Sequence, residues 1–293
     1  MNIAQTNMSD AGQLQVRVTS SSGFLPVENA SIEISYTGDP SSVIEKLSTD
    51  KNGVSETIDL DAPPLEYSME PSENQPYSEY TIRVSAPDFN TITITGSELM
   101  PTVKSIQNVS LTPLFAQENP VDVLTIGPHT LFGNYPPKIA ESEIKPLDES
   151  GEIVLSRVVV PEYIVVHDGS VTDTTASNYY VKYKDYIKNV AACEIYSTWP
   201  RSTIEANVLA IMSFTLNRVY TEWYRNKGYD FTITSSTAFD HKWIKGKNTF
   251  DTIDEVVDEI FTNYLSRPNI TQPILTQYCD GKRVSCPNWM PLW

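Results

Sequence analysis

Glu194 is the side chain with the clearest case for chemistry. Tyr183, Ile187, Val190 and Glu194 fall at i, i+4, i+7 and i+11, which places all four on one face of a helix. That face is otherwise apolar, so the carboxyl is drawn inward, and Pro200 soon afterwards puts it near the helix C-terminus. Burial and the negative end of the helix dipole both disfavour the charged form. A carboxylic acid that keeps its proton near neutral pH is what a general acid at a glycosidic oxygen needs. The competing reading is a helix-end Glu that pairs with Lys188 or Arg201 or points into water.

Other chemistry is thinner. His129, His167 and His241 are isolated, and neither CxxC nor HExxH occurs, so no metal site is expected and no cofactor is implied. A GxSxG nucleophile elbow and a phosphate-binding glycine loop are also missing. Cys193 reads as a small buried hydrophobe or a reactive thiol. Cys279 and Cys286 read equally as a disulfide or as two buried thiols. Among the aromatic side chains, Tyr220 and Trp223 belong to a core by their helical spacing. Trp199, in the loop just after Glu194, is the best placed to offer an exposed face to a sugar ring.

The elements that must hold these residues come in two compositions. The 293 residues carry a net charge of −16, of which −11 lies in residues 1–120 and only −2 in residues 161–293. Such acidity argues against a nucleic-acid partner, which needs concentrated Lys and Arg. No apolar run approaches the ~20 residues of a membrane span. The first residues lack the basic and apolar regions of a signal peptide, which leaves any export route open. Oligomeric state is not legible.

Residues 1–116 read as an all-β sandwich. Leu14, Val16 and Val18 alternate with polar neighbours, as do Ala30, Ile32 and Ile34, and Tyr80, Ile82 and Val84. Turn residues such as Asp50-Lys51-Asn52-Gly53 separate these runs. Residues 117–160, with Pro120, Pro128, Pro136, Pro137 and Pro146, read as an ordered proline-rich connector. Residues 161–293 switch to helical periodicity. One helix carries Glu194, and a second opens at a capping box, Ser202-Thr203-Ile204-Glu205, and runs toward Gly228. A third starts near Asp251 and is closed by Pro268, and a hairpin turns at Asp280-Gly281. The fold class is therefore α+β overall, an N-terminal sandwich followed by a mixed helical and β domain.

Two resemblances sharpen this. Pro26-Val27-x-x-Ala30-x-Ile32, Thr49-Asp50-x-x-Gly53 and Tyr80-x-Ile82-x-Val84-x-Ala86 make Gly12–Leu114 similar to carboxypeptidase-regulatory, prealbumin-like sandwiches, which usually serve as accessory modules. Tyr183-Lys184-Asp185-Tyr186-Ile187-Lys188-Asn189-Val190-Ala191-Ala192-Cys193-Glu194-Ile195-Tyr196, followed by Trp199-Pro200, resembles the signature of the stage II sporulation protein D family. Ser202–Tyr220 takes the place of that family's long helix, Thr237-Ala238-Phe239-Asp240-His241 that of its Asp-Gln motif, and Thr276–Val284 that of its late hairpin. Its long-helix Gln, Arg, Thr and Tyr appear here as Asn207, Met212, Ser213 and Phe214.

The resemblance implies a lytic transglycosylase that cleaves peptidoglycan glycan strands in the cell envelope or spore, with Glu194 as the acid/base. One carboxylate suffices when the sugar's own C6 hydroxyl attacks, whereas a hydrolase wants a second, for which Asp240 is the candidate. The alternative role for Asp240 is capping the turn after Ser235-Ser236-Thr237. Trp199, Tyr196, Thr237 and His241 are the implied substrate-binding residues. Two other functions stay open: an inactive glycan-binding or structural relative, and an adhesive or assembly module.

Overall fold

A computed structural model describes residues 10–116, 122–141, 154–282 and 289–293. In chain order its elements are β1 (Asp10–Ser20), β2 (Ser31–Tyr36), β3 (Asp39–Ser48), β4 (Ile58–Ala62), α1 (Glu66–Met69), β5 (Ser78–Ser85), β6 (Ile92–Leu99), β7 (Lys104–Leu111) and β8 (Val123–Thr125). They continue as β9 (Tyr163–His167), β10 (Asn178–Lys182), α2 (Tyr183–Glu194), α3 (Arg201–Tyr220), β11 (Ile233–Thr234), β12 (Thr249–Phe250), α4 (Asp251–Ile260), β13 (Tyr278–Cys279) and β14 (Met290–Pro291). The fold is α+β with sheets dominating. Among the described residues no helix is long and apolar enough to cross a membrane.

The chain forms two units. The first takes residues up to Pro128 together with Tyr196–Thr198 and Lys245–Thr252, and the second takes the remainder. Of the expected connector, residues 117–121 and 142–153 lie outside the described residues; 122–128 fall in the first unit and 129–141 in the second.

Two sheets build the first unit, in the orders β12-β7-β1-β4 and β3-β2-β5-β6-β8. The alternation in β1 puts Leu14, Val16 and Val18 inside and leaves Gln13 and Arg17 exposed. β1 runs parallel to β7, pairing Gln13 with Lys104 through Ser20 with Leu111, while β5 and β6 pair antiparallel. Ile32, Ile34, Ile82, Val84 and Ile94 supply the buried residues of the five-stranded sheet. The edge of β7 is covered by β12, from a segment about 140 residues later in the chain. Within that segment Asn248 accepts from the Glu98 amide at 3.0 Å and donates to its carbonyl at 2.8 Å, and Gln107 donates to the Gly246 carbonyl at 2.9 Å.

The second unit contains the sheet β10-β9-β11, with α2 and α3 in contact. Tyr183, Ile187, Val190 and Glu194 are all buried, as their spacing requires. Helix α3 is buried around most of its circumference. Its start corrects the capping-box expectation. Pro200 is the N-cap and no side chain caps the helix. Arg201 is already helical, so Ser202 stands inside the first turn, where it cannot reach the free amides ahead of it. Its end also differs. The helix stops at Tyr220, Glu222 follows with φ +45°, and Gly228 closes a separate short turn, Arg225–Lys227, at φ +85°. Helix α4 ends at Ile260, well short of Pro268. The second arm of the expected hairpin at Asp280-Gly281 lies outside the described residues; among those described, β13 pairs in parallel with β14, Tyr278 opposite Met290. Cys279 is disulfide-bonded, Cys193 is a buried thiol outside any disulfide, and Cys286 lies outside the described residues.

Candidate active site around Glu194

Helix α2 ends at Glu194 because Ile195 turns to extended backbone, and this leaves the carboxyl inside the second unit, only 4% exposed. Its Oε1 accepts from the Lys242 amide at 2.6 Å and its Oε2 accepts from the Tyr278 hydroxyl. It pairs with neither Lys188 nor Arg201, which are taken by Asp254 and Asp258 and by Glu259. Burial raises the proton affinity of Glu194. The Lys138 charge, the Tyr278 hydroxyl and the Lys242 amide pull the other way without cancelling it. A carboxyl group has about four lone-pair sites, so two engaged donors leave room for a proton.

One side of Glu194 opens on a pocket of about 260 Å³, lined also by Thr130, Tyr135, Lys138, Thr237 and Tyr278. Lys138 is the unexpected member. It follows Pro136-Pro137, and its ammonium lies 4.8 Å from the Phe214 ring centre and 4.6 Å from that of Tyr278. It donates to the Asp240 carbonyl at 2.9 Å. Burial lowers its proton affinity, while the charges of Glu194 and Asp240 hold it up. A carboxyl with raised and an ammonium with lowered proton affinity therefore line one pocket, an arrangement that suits proton transfer.

Asp240 lies behind the pocket lining and is fully buried. Its Oδ1 accepts from Arg218 Nε at 2.7 Å, and its Oδ2 from the Tyr224 hydroxyl at 2.6 Å, the Thr234 amide at 2.9 Å and the Thr234 hydroxyl at 2.7 Å. Arg218 also donates to Glu141 at 2.6 Å and to the Phe239 carbonyl at 3.1 Å. These contacts make Asp240 the anchor of the Thr234–Asp240 turn. His241 is buried too, with Nδ1 3.2 Å from the Tyr186 hydroxyl and its ring stacked on Tyr278 at 5.9 Å. Burial, aided by the Lys138 and Arg218 charges, holds its ring well below the usual imidazole value and hence neutral.

Of the six residues proposed from the sequence, Glu194 and Thr237 line the pocket. Asp240, His241, Tyr196 and Trp199 do not. Trp199 is not an exposed platform. It is 7% exposed and packs edge-on against Trp293, ring centres 5.0 Å apart. Tyr196 is buried and belongs with the first unit.

Lys138, Tyr278 and Arg218 were missed. Arg218 did leave a signal, because an ionic residue on a helix apolar around most of its circumference must be paired. Lys138 left none, and Tyr278 left only its place inside the Thr276–Val284 segment that the resemblance marks. Among the described residues no group of three or more His, Cys, Asp or Glu is placed to hold a metal ion.

No family model matches the chain. No curated protein matches it significantly either. Solved structures give distant likenesses. The minor pilin GBS52 of Streptococcus agalactiae is 10% identical over 39% of this chain and 49% of its own, with a TM-score of 0.26. Catechol 1,2-dioxygenase from Acinetobacter sp. ADP1 is 13% identical over 42% and 61%, with a TM-score of 0.26. A cohesin–X-dockerin complex from Acetivibrio cellulolyticus is 14% identical over 33% and 52%, with a TM-score of 0.22. The chain spans less than two thirds of each of these structures. Likeness at this level carries no argument about function.

Proposed function

We propose that the protein is a peptidoglycan lytic transglycosylase of the stage II sporulation protein D type, acting in the cell envelope or spore. Its first unit would be a prealbumin-like accessory sandwich. The observation that carries this reading is a buried carboxyl of raised proton affinity, Glu194, lining an open pocket at the end of the helix that bears the signature block. Protonated Glu194 gives its proton to the glycosidic oxygen as the bond to C1 breaks. The resulting carboxylate takes the proton of the C6 hydroxyl as that oxygen closes on C1, which forms the 1,6-anhydro sugar and restores the acid. No second carboxylate is needed, consistent with Asp240 being fully engaged elsewhere.

The test is release of 1,6-anhydro-muropeptides from purified sacculi by the wild type and by Glu194→Gln. The variant should lose at least about a hundredfold in rate, the usual worth of a general acid–base group. Equal release by both proteins would overturn the assignment. One observation favours a second reading, an inactive glycan-binding relative: both Glu194 oxygens already accept hydrogen bonds and the group is only 4% exposed. Sacculus pull-down by the wild type without any anhydro product would select it.

A further inference from the structure

The first unit holds a second group of buried ionic atoms, away from any role in the reaction above. Lys247 Nζ lies 2.5 Å from Glu98 Oε2, and both side chains are almost completely buried. The contact lacks hydrogen-bond alignment. Among the described residues neither Glu98 oxygen nor the Lys247 nitrogen has a hydrogen-bond partner. A buried ion pair is tolerable when further hydrogen bonds satisfy its remaining lone pairs and protons, and here none do.

The surroundings hold the two groups together. Asn248 clamps the Glu98 amide and carbonyl, Gln107 holds the Gly246 carbonyl, and β12 pairs with β7 immediately afterwards. Glu79 stands directly opposite Glu98 in the β5–β6 ladder, so their side chains leave the sheet on the same face. Burial pushes the Glu98 carboxyl up to about 7, with the Glu79 charge adding to the effect, so the neutral acid is well populated near neutral pH.

We propose that Lys247 Nζ and Glu98 Cδ become joined by an amide bond, formed by the folded chain itself with loss of one water molecule. The ammonium first passes a proton to the carboxylate, which gives an amine beside a carboxylic acid. The nitrogen lone pair attacks Cδ to form a tetrahedral intermediate. Glu79 takes a proton from that nitrogen and delivers it to the hydroxyl oxygen, the C–O bond breaks, and water leaves. One ammonium and one carboxylate become one amide and one water, with no oxidant or activating group. Fixing the reactants replaces a bimolecular encounter by a local one, with effective molarities that reach about 10⁵ M and above in well-oriented systems. The dry interior opposes the reverse step and loses both unsatisfied charges.

The experiment is intact-mass measurement of the reduced, denatured full chain, with Lys247→Arg as the reference that cannot form the bond. After allowance for the substitution, the wild type should be lighter by one water. Proteolysis should yield a branched peptide that joins the segments bearing residues 98 and 247. A wild-type mass equal to that of its sequence, with the two segments recovered separately, would overturn the proposal without requiring any variant to fold. In Glu79→Gln the bond should appear about a hundredfold more slowly after refolding. Formation at the wild-type rate would remove Glu79 from the relay.

Discussion

Replacing Asp240 with Ala separates a structural carboxylate from a catalytic one. Four donors at 2.6 to 2.9 Å converge on its two oxygens, and the Arg218–Asp240 pair is wholly buried. Removing one partner of such a pair costs about 3–5 kcal/mol, because the other charge stays buried without compensation. Glu141 and the Phe239 carbonyl still serve Arg218, which places the loss near the lower end, about 3–4 kcal/mol. For a unit of this size that is a fall in melting temperature of about 6–16 °C. The assay is thermal and urea unfolding of the full chain, closed into a cycle with Arg218→Met and the double variant. The double variant should be milder than the sum of the singles by at least ~1 kcal/mol, since it leaves neither member of the Arg218–Asp240 pair buried without the other. A loss below ~1 kcal/mol, together with abolished sacculus activity, would refute the reasoning and return Asp240 to the reaction.

Three further outcomes follow from named contacts. Lys138→Met removes the charge that opposes protonation of Glu194, so the alkaline limb of the activity profile should move to higher pH; an unmoved limb would separate the two groups. His241 is neutral in the fold and regains its ordinary value of 6.5 when unfolded, so its contribution is complete above that pH. As pH falls below it, only the unfolded chain takes up the proton, and stability should drop by up to ~1.4 kcal/mol per pH unit. His241→Phe should flatten that acid slope, and an identical slope in both proteins would contradict a buried neutral ring. Ser202→Ala should leave urea stability within ~0.5 kcal/mol of wild type, because the residue is exposed and caps nothing, whereas loss of a true N-cap costs about 1 kcal/mol.

Where the sequence was legible, the reason was local. The two-residue alternation of Leu14, Val16 and Val18 and the helical stripe ending at Glu194 both state which face turns inward, because backbone geometry alone decides it. Ser202-x-x-Glu205 matches a cap pattern, but the N-cap is Pro200, with extended backbone at φ −53° and ψ 141°, and the helix begins at Arg201, ahead of Ser202. Glu194 could be picked out as a buried acid, but its partners could not. Tyr278 arrives from 84 residues downstream and Lys138 from well upstream, and no periodicity links them. A loop aromatic next to an active-site candidate looks available from spacing alone, whereas Trp199 is buried and packs against Trp293, a contact that no local pattern announces.

The placement of β12 on the edge of β7 has a consequence for synthesis. The four-stranded sheet pairs Thr249 with Ile106, so one of its strands leaves the ribosome long after the others. Until then the flank of β7 is an open row of amides and carbonyls, the kind of edge that recruits other chains. The amino-terminal unit therefore cannot finish folding first in the usual vectorial order. Nascent chains stalled before Lys245 should be more prone to aggregate than those released after Thr252.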